Sequence, residues 1–215
     1  MSFSEREKIL KKVEKPTRYT GQELNMCIKD PKKVDVRFGF CFPDVYEIAM
    51  SHLGLKILYH TLNLREDTYC ERVFAPWVDM EEEMRKRDLK HFALETGDEV
   101  RSFDMVGFTL QYELSYSNVI NMLDLAGIPL LSEQRSLCDP FVCAGGPCAY
   151  NGEPIADAID FFMLGEWKDE NPINDEDYGI RGFYDYMVNN FDNVFAITSV
   201  SGPFSVIPHF EITGR

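Results

Sequence analysis

The sequence contains no uninterrupted run of 18 apolar residues, so no segment reads as a transmembrane helix. Its opening, MSFSEREKILKKVEKP, is charged throughout and lacks an apolar core, which predicts that no secretory signal is present. The six cysteines (Cys27, Cys41, Cys70, Cys138, Cys143, Cys148) form no C-x-x-C pair, and their spacings match no zinc site. No metal ligands are expected. Without a signal the expected setting is the reducing cytoplasm, where disulfides are rare and such cysteines act as small buried hydrophobes. Only Cys143 and Cys148, on either side of a double glycine, lie close enough to suggest a ligand pair.

Other absences remove whole reaction classes. There is no G-x-G-x-x-G after a strand, so the usual dinucleotide cradle is missing. There is no G-x-x-x-x-G-K-[ST] phosphate loop and no H-E-x-x-H metal helix. A G-x-S-x-G nucleophile elbow is also lacking. His52 and His60 fall on one predicted helix, but eight residues is about 12 Å, too far to chelate one ion. Positive charge is scarce as well. Lys and Arg number 22 against 36 acids, for a net charge of −14 and a pI near 4.7. A general binder of nucleic acid or anionic membrane would have to overcome that field. Residues 1–33 hold nine bases against five acids, and residues 166–192 hold eight acids against two bases. The basic stretch reads as a solvated helix face, with a phosphate contact as the alternative. The triple acid Glu81-Glu82-Glu83 likewise reads as a solvated face.

What is present suffices for one domain or one and a half, at about 150 residues per domain. The chain has 215 residues, 45% hydrophobic and 27% charged. A basic helix is expected over about Ser4–Val13. A strand follows at Val34–Cys41, stopped by Phe42-Pro43, with Asp44 as N-cap of a helix running from Val45 to about Leu62. Next come a strand at Tyr69–Phe74, a helix at Met80–Arg87 and a weaker strand at His91–Leu94. The run Asp104–Leu110 is almost continuously apolar, as a buried parallel strand requires. A helix at Ser115–Ala126 ends at Gly127. A strand at Phe141–Ala144 leads into Gly145-Gly146-Pro147, followed by a short helix at Pro154–Ile159 and a last buried strand at Phe161–Leu164. This alternation predicts an open, mostly parallel α/β sheet of Rossmann-like type with helices on both faces. Trp167–Gly179 is acidic and rich in Pro and Asn, which reads as an exposed linker. Beyond it a helix at Gly182–Phe191 and strands at Val194–Val200 and Phe204–Ile212 are expected. The organisation is therefore a basic segment at 1–33, a Rossmann-like domain at 34–166 and an extension at 167–215.

In such a sheet, ligands bind beyond the carboxyl ends of the strands, where the strand order reverses. That rule selects four clusters: Pro43, Asp44, Tyr46 and Glu47; Gln111, Tyr112, Glu113, Ser115 and Asn118; Gly145, Gly146 and Pro147; and Glu166. The bland reading is that the glycines permit a turn and the acids cap helices. Four such clusters at four strand ends favour a ligand crevice.

Several long words in the sequence are family words. Phe42-Pro-Asp-Val-Tyr-Glu-Ile-Ala-Met-Ser-His-Leu-Gly-Leu-Lys-Ile-Leu-Tyr59, Glu71-Arg-Val-Phe-Ala-Pro76, Gly107-Phe-Thr-Leu-Gln-Tyr-Glu-Leu-Ser-Tyr-Ser-Asn118 and Ala144-Gly-Gly-Pro147 occur in order. Over about residues 16–166 the chain resembles the N-terminal region of a bacterial family of radical SAM proteins of uncertain reaction. In that family a cobalamin-binding-like domain precedes the radical SAM core. Phe204–Ile212 faintly resembles the segment that leads into the catalytic barrel. The resemblance implies an accessory domain holding a corrinoid at the carboxyl edge, with the clusters above as its binding residues and Ser115 and Asn118 as neutral hydrogen-bonding groups. The alternative is an interaction domain that has lost corrinoid and docks a partner domain. A flavin or nucleotide enzyme is disfavoured by the missing phosphate loop.

Two departures qualify the resemblance. The D-x-H-x-x-G word of many cobalamin domains is absent. Met50 and His52-Leu-Gly54 stand nearest to it, and His52 reads as a helix-face residue. The C-x-x-x-C-x-x-C spacing that holds a [4Fe–4S] cluster is absent too, so the cluster and S-adenosylmethionine are assigned to the full-length parent, an expected radical SAM enzyme. The chain alone is not expected to be catalytic. Anaerobic reconstitution of the 215-residue chain should therefore yield no stoichiometric iron and no cleavage of S-adenosylmethionine, because cluster assembly needs convergent thiolates. A cluster absorbance with matching iron and sulfide would refute this.

Overall fold

In the computed structural model, residues 8–164 are described in full, together with the backbone of two strands at Ile197–Ser201 and Glu211–Gly214. The chain divides into two compact units, Met1–Met163 and Leu164–Arg215. The first is built on five strands: β1 Val36–Phe42, β2 Thr68–Phe74, β3 Met105–Thr109, β4 Phe141–Gly145 and β5 Phe161–Met163. All pairings are parallel, in the order β2-β1-β3-β4-β5. The helices are α1 Tyr46–Ser51, α2 Leu53–Leu64, α3 Val78–Lys86 and α4 Tyr116–Ala126. This is the open parallel α/β sheet that the alternation of apolar runs predicts.

The two faces follow from the period of two along each strand. Phe40 and Phe42 of β1, with Cys70 and Phe74 of β2, pack against Ala49 of α1 and Leu55 and Tyr59 of α2. On the opposite face Cys41, Val106, Phe108, Val142 and Ala144 pack against Val119, Met122, Leu123 and Ala126 of α4. Gly127 then ends α4 in the left-handed conformation, φ 70°, where its N–H reaches back to the Leu123 and Asp124 carbonyls. Ile9, Val13 and Tyr19 form a third cluster with Met80 and Met84 of α3, Phe92, and Leu125 of α4.

Strand β2 lies at an edge of the sheet, yet all seven of its residues are buried. Its backbone groups on the side away from β1 are satisfied mostly by side chains. Lys29 Nζ donates to the Thr68 carbonyl at 2.6 Å. The Asn63 amide both accepts from Cys70 N (3.1 Å) and donates to Cys70 O (2.9 Å), so it stands in for a neighbouring strand. Arg72 N donates to Glu95 Oε2 at 2.6 Å, and Leu94 N donates to Arg72 O at 2.8 Å. The side chains of β2 reinforce the same closure. Arg72 pairs with Glu95 and Glu23 and lies 4.5 Å over the Tyr59 ring. Glu71, on the opposite face, accepts from Arg37 Nη2 and from both N and Oγ1 of Thr96. Burial holds the Glu95 carboxyl above its ordinary pKa, with the Arg72 guanidinium opposing the shift. Removing one partner from such a pair costs about 3–5 kcal/mol, because the other charge is left buried and uncompensated.

Local details depart from the sequence reading at identifiable places. The helix expected from Val45 to Leu62 breaks at His52, whose backbone is extended (φ −79°, ψ 116°). His52 is therefore not a residue of the helix face. Its Nδ1 accepts from Leu55 N at 3.1 Å and caps α2, and its ring packs 5.2 Å from Phe42. Gly54 makes this possible, since a Cβ there would lie 2.9 Å from the imidazole. Val45, not Asp44, is the N-cap of α1. The expected strand at His91–Leu94 is reduced to a single bridge between Phe92 and Glu99, because its N–H groups go to separate partners: His91 to Leu125 O, Ala93 to Asp98 O and Leu94 to Arg72 O of β2. The short helix near Pro154 is a 3-10 turn at Glu153–Ala158. Strand β5 is exposed rather than buried. Of the basic N-terminal helix, residues 8–10 are helical and the part before residue 8 lies outside the described residues.

In the second unit, β6 (Ile197–Ser201) and β7 (Glu211–Gly214) pair antiparallel; β6 matches the expected Val194–Val200, whereas β7 shares only Glu211 and Ile212 with the expected Phe204–Ile212. The Trp167–Gly179 linker and the Gly182–Phe191 helix lie outside the described residues. Among the described residues, no helix is long and apolar enough to cross a membrane.

Two consequences are measurable. His91 is fully buried beside the Phe74 carbonyl, neither ring nitrogen makes a well-formed hydrogen bond, and burial pushes its pKa down to about 4. The unfolded chain then binds one more proton than the folded one between about pH 6.5 and 4, so stability falls as pH drops through that window and levels off below it. Urea midpoints of wild type and His91→Phe should diverge only across that window; parallel curves would exclude the assignment. Second, His52→Ala should cost about 1 kcal/mol as a lost cap, whereas His52→Asn should keep most of it. Equal losses in both variants, in thermal melts, would show that the imidazole acts by packing alone.

Candidate functional site

The strand order reverses between β1 and β3, so the switch point lies between the loops that follow these two strands. Those loops hold most of the residues selected from sequence, and the structure joins them directly. Tyr112 donates its hydroxyl to Asp44 Oδ2 at 3.1 Å. Asn118, on the first turn of α4, donates its amide to the Pro43 carbonyl at 2.9 Å. Asp44 also accepts from Val45 N at Oδ1, and its carbonyl accepts from Ala75 N in the loop after β2. The carboxyl ends of β1, β2 and β3 are thus tied together by groups that could otherwise face a ligand.

The remaining candidates separate. Ser115 is buried and donates to the Tyr112 carbonyl. Gln111 donates to Thr109 Oγ1 at 2.6 Å. Glu113 opens a 3-10 turn and lies beside Cys148. Tyr46 and Glu47 turn away from the switch point: Tyr46 donates to Glu23, and Glu47 pairs with Lys15 and Arg18. Gly146 has φ 96°, and a Cβ there would meet the Leu110 carbonyl oxygen at 2.8 Å. Its freedom is spent on bringing β3 and β4 together, where Leu110 N donates to Gly145 O and Cys148 N donates to Leu110 O. Pro147 begins the 3-10 turn that follows. Glu166 lies outside the described residues.

Tyr112, selected from the sequence, is open to solvent, and the sequence reading passed over other exposed apolar residues on the loops after the strands: Leu114 is 83% exposed, and Trp77 and Tyr150 are also open. The available signal was an apolar residue directly after a strand, outside any helical or strand period. Arg18 stacks over Trp77 at 5.1 Å to the ring centroid.

The thiols do not form a site. Burial pushes Cys143 up to about 11 and raises Cys148, with Glu113 adding to the latter, so neither is a thiolate near neutrality. No three His, Cys, Asp or Glu side chains converge as a metal group among the described residues. A cleft of about 820 Å³ opens elsewhere, between residues 23–27, α2 and Arg72. Three of its polar side chains are already engaged: Tyr59 accepts from Cys27 N, Asn63 serves β2, and Arg72 holds its glutamates.

These positions can be compared with what a corrinoid would need. The switch-point loops present open apolar and aromatic surface, suited to a broad planar ring. They offer no histidine for cobalt, since His52 Nδ1 is engaged at α2 and His91 is buried. Ser115 and Asn118 already use their groups within the domain. Contact with a ring face fits; anchoring through a protein nitrogen on the metal does not.

Comparison with known proteins adds the family. A family model described as radical SAM proteins, N-terminal, matches residues 54–174, more than half of the chain. Uncharacterized protein MJ0966 of Methanocaldococcus jannaschii is 31% identical over 98 residues, covering 43% of this chain and 20% of that protein. The chain therefore spans about one fifth of the length of that relative. No solved structure shows a significant match. With its five-stranded parallel sheet and a match across most of that sheet, the chain belongs to the family of N-terminal domains of radical SAM proteins.

Proposed function

We propose that this domain serves a radical SAM core in a longer parent protein, and that it holds a corrinoid against the carboxyl edge of its sheet. The observation that carries the reading is the β1/β3 switch point overlaid by exposed Tyr112 and Leu114. The ring would rest on these side chains, with Trp77 and Tyr150 flanking it on the neighbouring loops. Asp44 and Asn118 would hold the loops in register beneath it. When bound, a corrinoid supplies a cobalt centre for alkyl or electron transfer. The [4Fe–4S] cluster and S-adenosylmethionine belong to the parent's core. All six cysteines are free, in keeping with a cytoplasmic setting.

A second reading is docking of the radical SAM core without corrinoid. The internal use of Gln111, Ser115 and Asn118 favours it, because it leaves few polar groups to orient a ligand.

Titration of hydroxocobalamin into the 215-residue chain separates the two. Binding is expected with a visible spectrum that His52→Ala leaves unchanged. Leu114→Asp should weaken binding about tenfold, or about 1.4 kcal/mol, without altering the melting temperature. A Gly146 substitution is a poor probe, since it strains the β3–β4 contact before it meets any ligand. Absence of binding by wild type would select the docking reading, and a spectral change on removing His52 would sink the histidine-free mode.

A further inference from the structure

The sheet is covered unequally. In the ladder between β4 and β5, Cys143 pairs with Phe161 and Gly145 with Met163, while Met105 of β3 pairs with Phe141. Val142, Ala144 and Phe162 pack into the core beside α4, so Phe141, Phe161 and Met163 point to the opposite face. That is the face covered by α1 and α2 over β1 and β2. The Phe38 ring reaches across to Gly107 of β3, where a Cβ would overlap it. Past Phe38, Cys143 is still buried on this face, but the cover thins toward the flanking positions. Phe141 is 59% exposed, Phe161 41% and Met163 60%.

Parallel sheets are buried on both faces, because their strands carry apolar side chains on both sides. An open apolar field on such a sheet therefore marks a missing layer. Its dimensions suit one helix. Adjacent strands are about 4.8 Å apart, and Phe161 and Met163 are about 6.6 Å apart along β5. A helix presents side chains about 5–6 Å apart at i and i+4. The charges at the rim are satisfied locally, by the Arg101–Asp139 and Arg135–Asp160 pairs, so the surface offers apolar contact rather than charge.

We propose that this β4–β5 face is the docking surface for the apolar stripe of a helix from the parent's radical SAM core. The inference rests on the reading that such a core is the partner. Area argues against a free second copy. At about 200 Å² for a fully exposed large side chain, the three residues offer about 300 Å². A stable dimer needs about 800 Å² from each partner. A small patch suffices when the partner is tethered, since linkage raises the effective concentration. The chain spans about a fifth of its archaeal relative, and β5 is the strand at which the first unit ends, so a polypeptide continuing from it starts beside this patch.

The test uses the full-length parent with the photo-crosslinking residue p-benzoylphenylalanine at position 161. Crosslinks mapped by mass spectrometry are expected on one helix of the core, and Met163→Glu should reduce their yield at least tenfold. Met163→Glu in the 215-residue chain should leave its melting temperature unchanged. Crosslinks to a second copy, to residues 165–215, or to nothing overturn the proposal. A melting temperature lowered by Met163→Glu also overturns it, because the face would then be covered within this chain. A parent gene without C-x-x-x-C-x-x-C would instead remove the core partner itself, and corrinoid titration reads the carboxyl edge independently of this face.

Discussion

The free edge of β2 is the constraint on which the rest of the domain depends. An edge strand in a parallel sheet leaves a row of N–H and carbonyl groups that would be costly to bury and hazardous to expose. Here that row is closed by Lys29, Asn63, Leu94 and Glu95, which come from three separate segments. Each segment is held in place by the strand it seals. Ile9, Val13 and Tyr19 pack against α3, Cys27 N donates to Tyr59 of α2, the helix α2 is fixed through Asn63, and residues 91–99 are pinned by Arg72 and Glu71. The Glu71-Arg72 pair thus has a structural use on both faces of the sheet at once.

Sealing one edge leaves the asymmetry of the molecule at the other. At β2 every layer is supplied by the described residues, whereas at β5 one face carries open phenylalanine and methionine. The carboxyl edge between these extremes is rigidly tied, since Asp44, Tyr112 and Asn118 link three successive loops. These ties fix the surface that the loops present.

Local chemistry explains why some site residues changed meaning. His52 stands near where a cobalt-ligand word would fall and reads from the sequence as a helix-face residue, but its imidazole accepts a backbone N–H at the break between two short helices. Gly146 sits in a word that suggests close approach to a ligand, but the approaching group is the Leu110 carbonyl. Gly146 reads as special and its partner lies inside the protein, whereas the capping role of His52 was not legible in the sequence.

Much of the architecture was legible in the sequence. The continuous apolar run at 104–110, the Phe-x-Phe-x-Phe period at 38–42 and the glycine after Ala126 specify strands and a helix end through short-range sterics and burial. These depend on neighbours within a few residues, so a linear reading recovers them. The break at His52, the loss of the 91–94 strand and the exposure of β5 were not legible, because each is decided by a group distant in sequence. Glu95 competes for the backbone of Arg72, Asn63 substitutes for a strand beside Cys70, and Phe161 and Met163 stay partly open. By itself the sequence determined the five strands of the sheet, their parallel arrangement and the helix that ends at Gly127. Only the tertiary structure decided which polar groups remain available at the carboxyl edge, because hydrogen bonds between loops far apart in the chain consume them first.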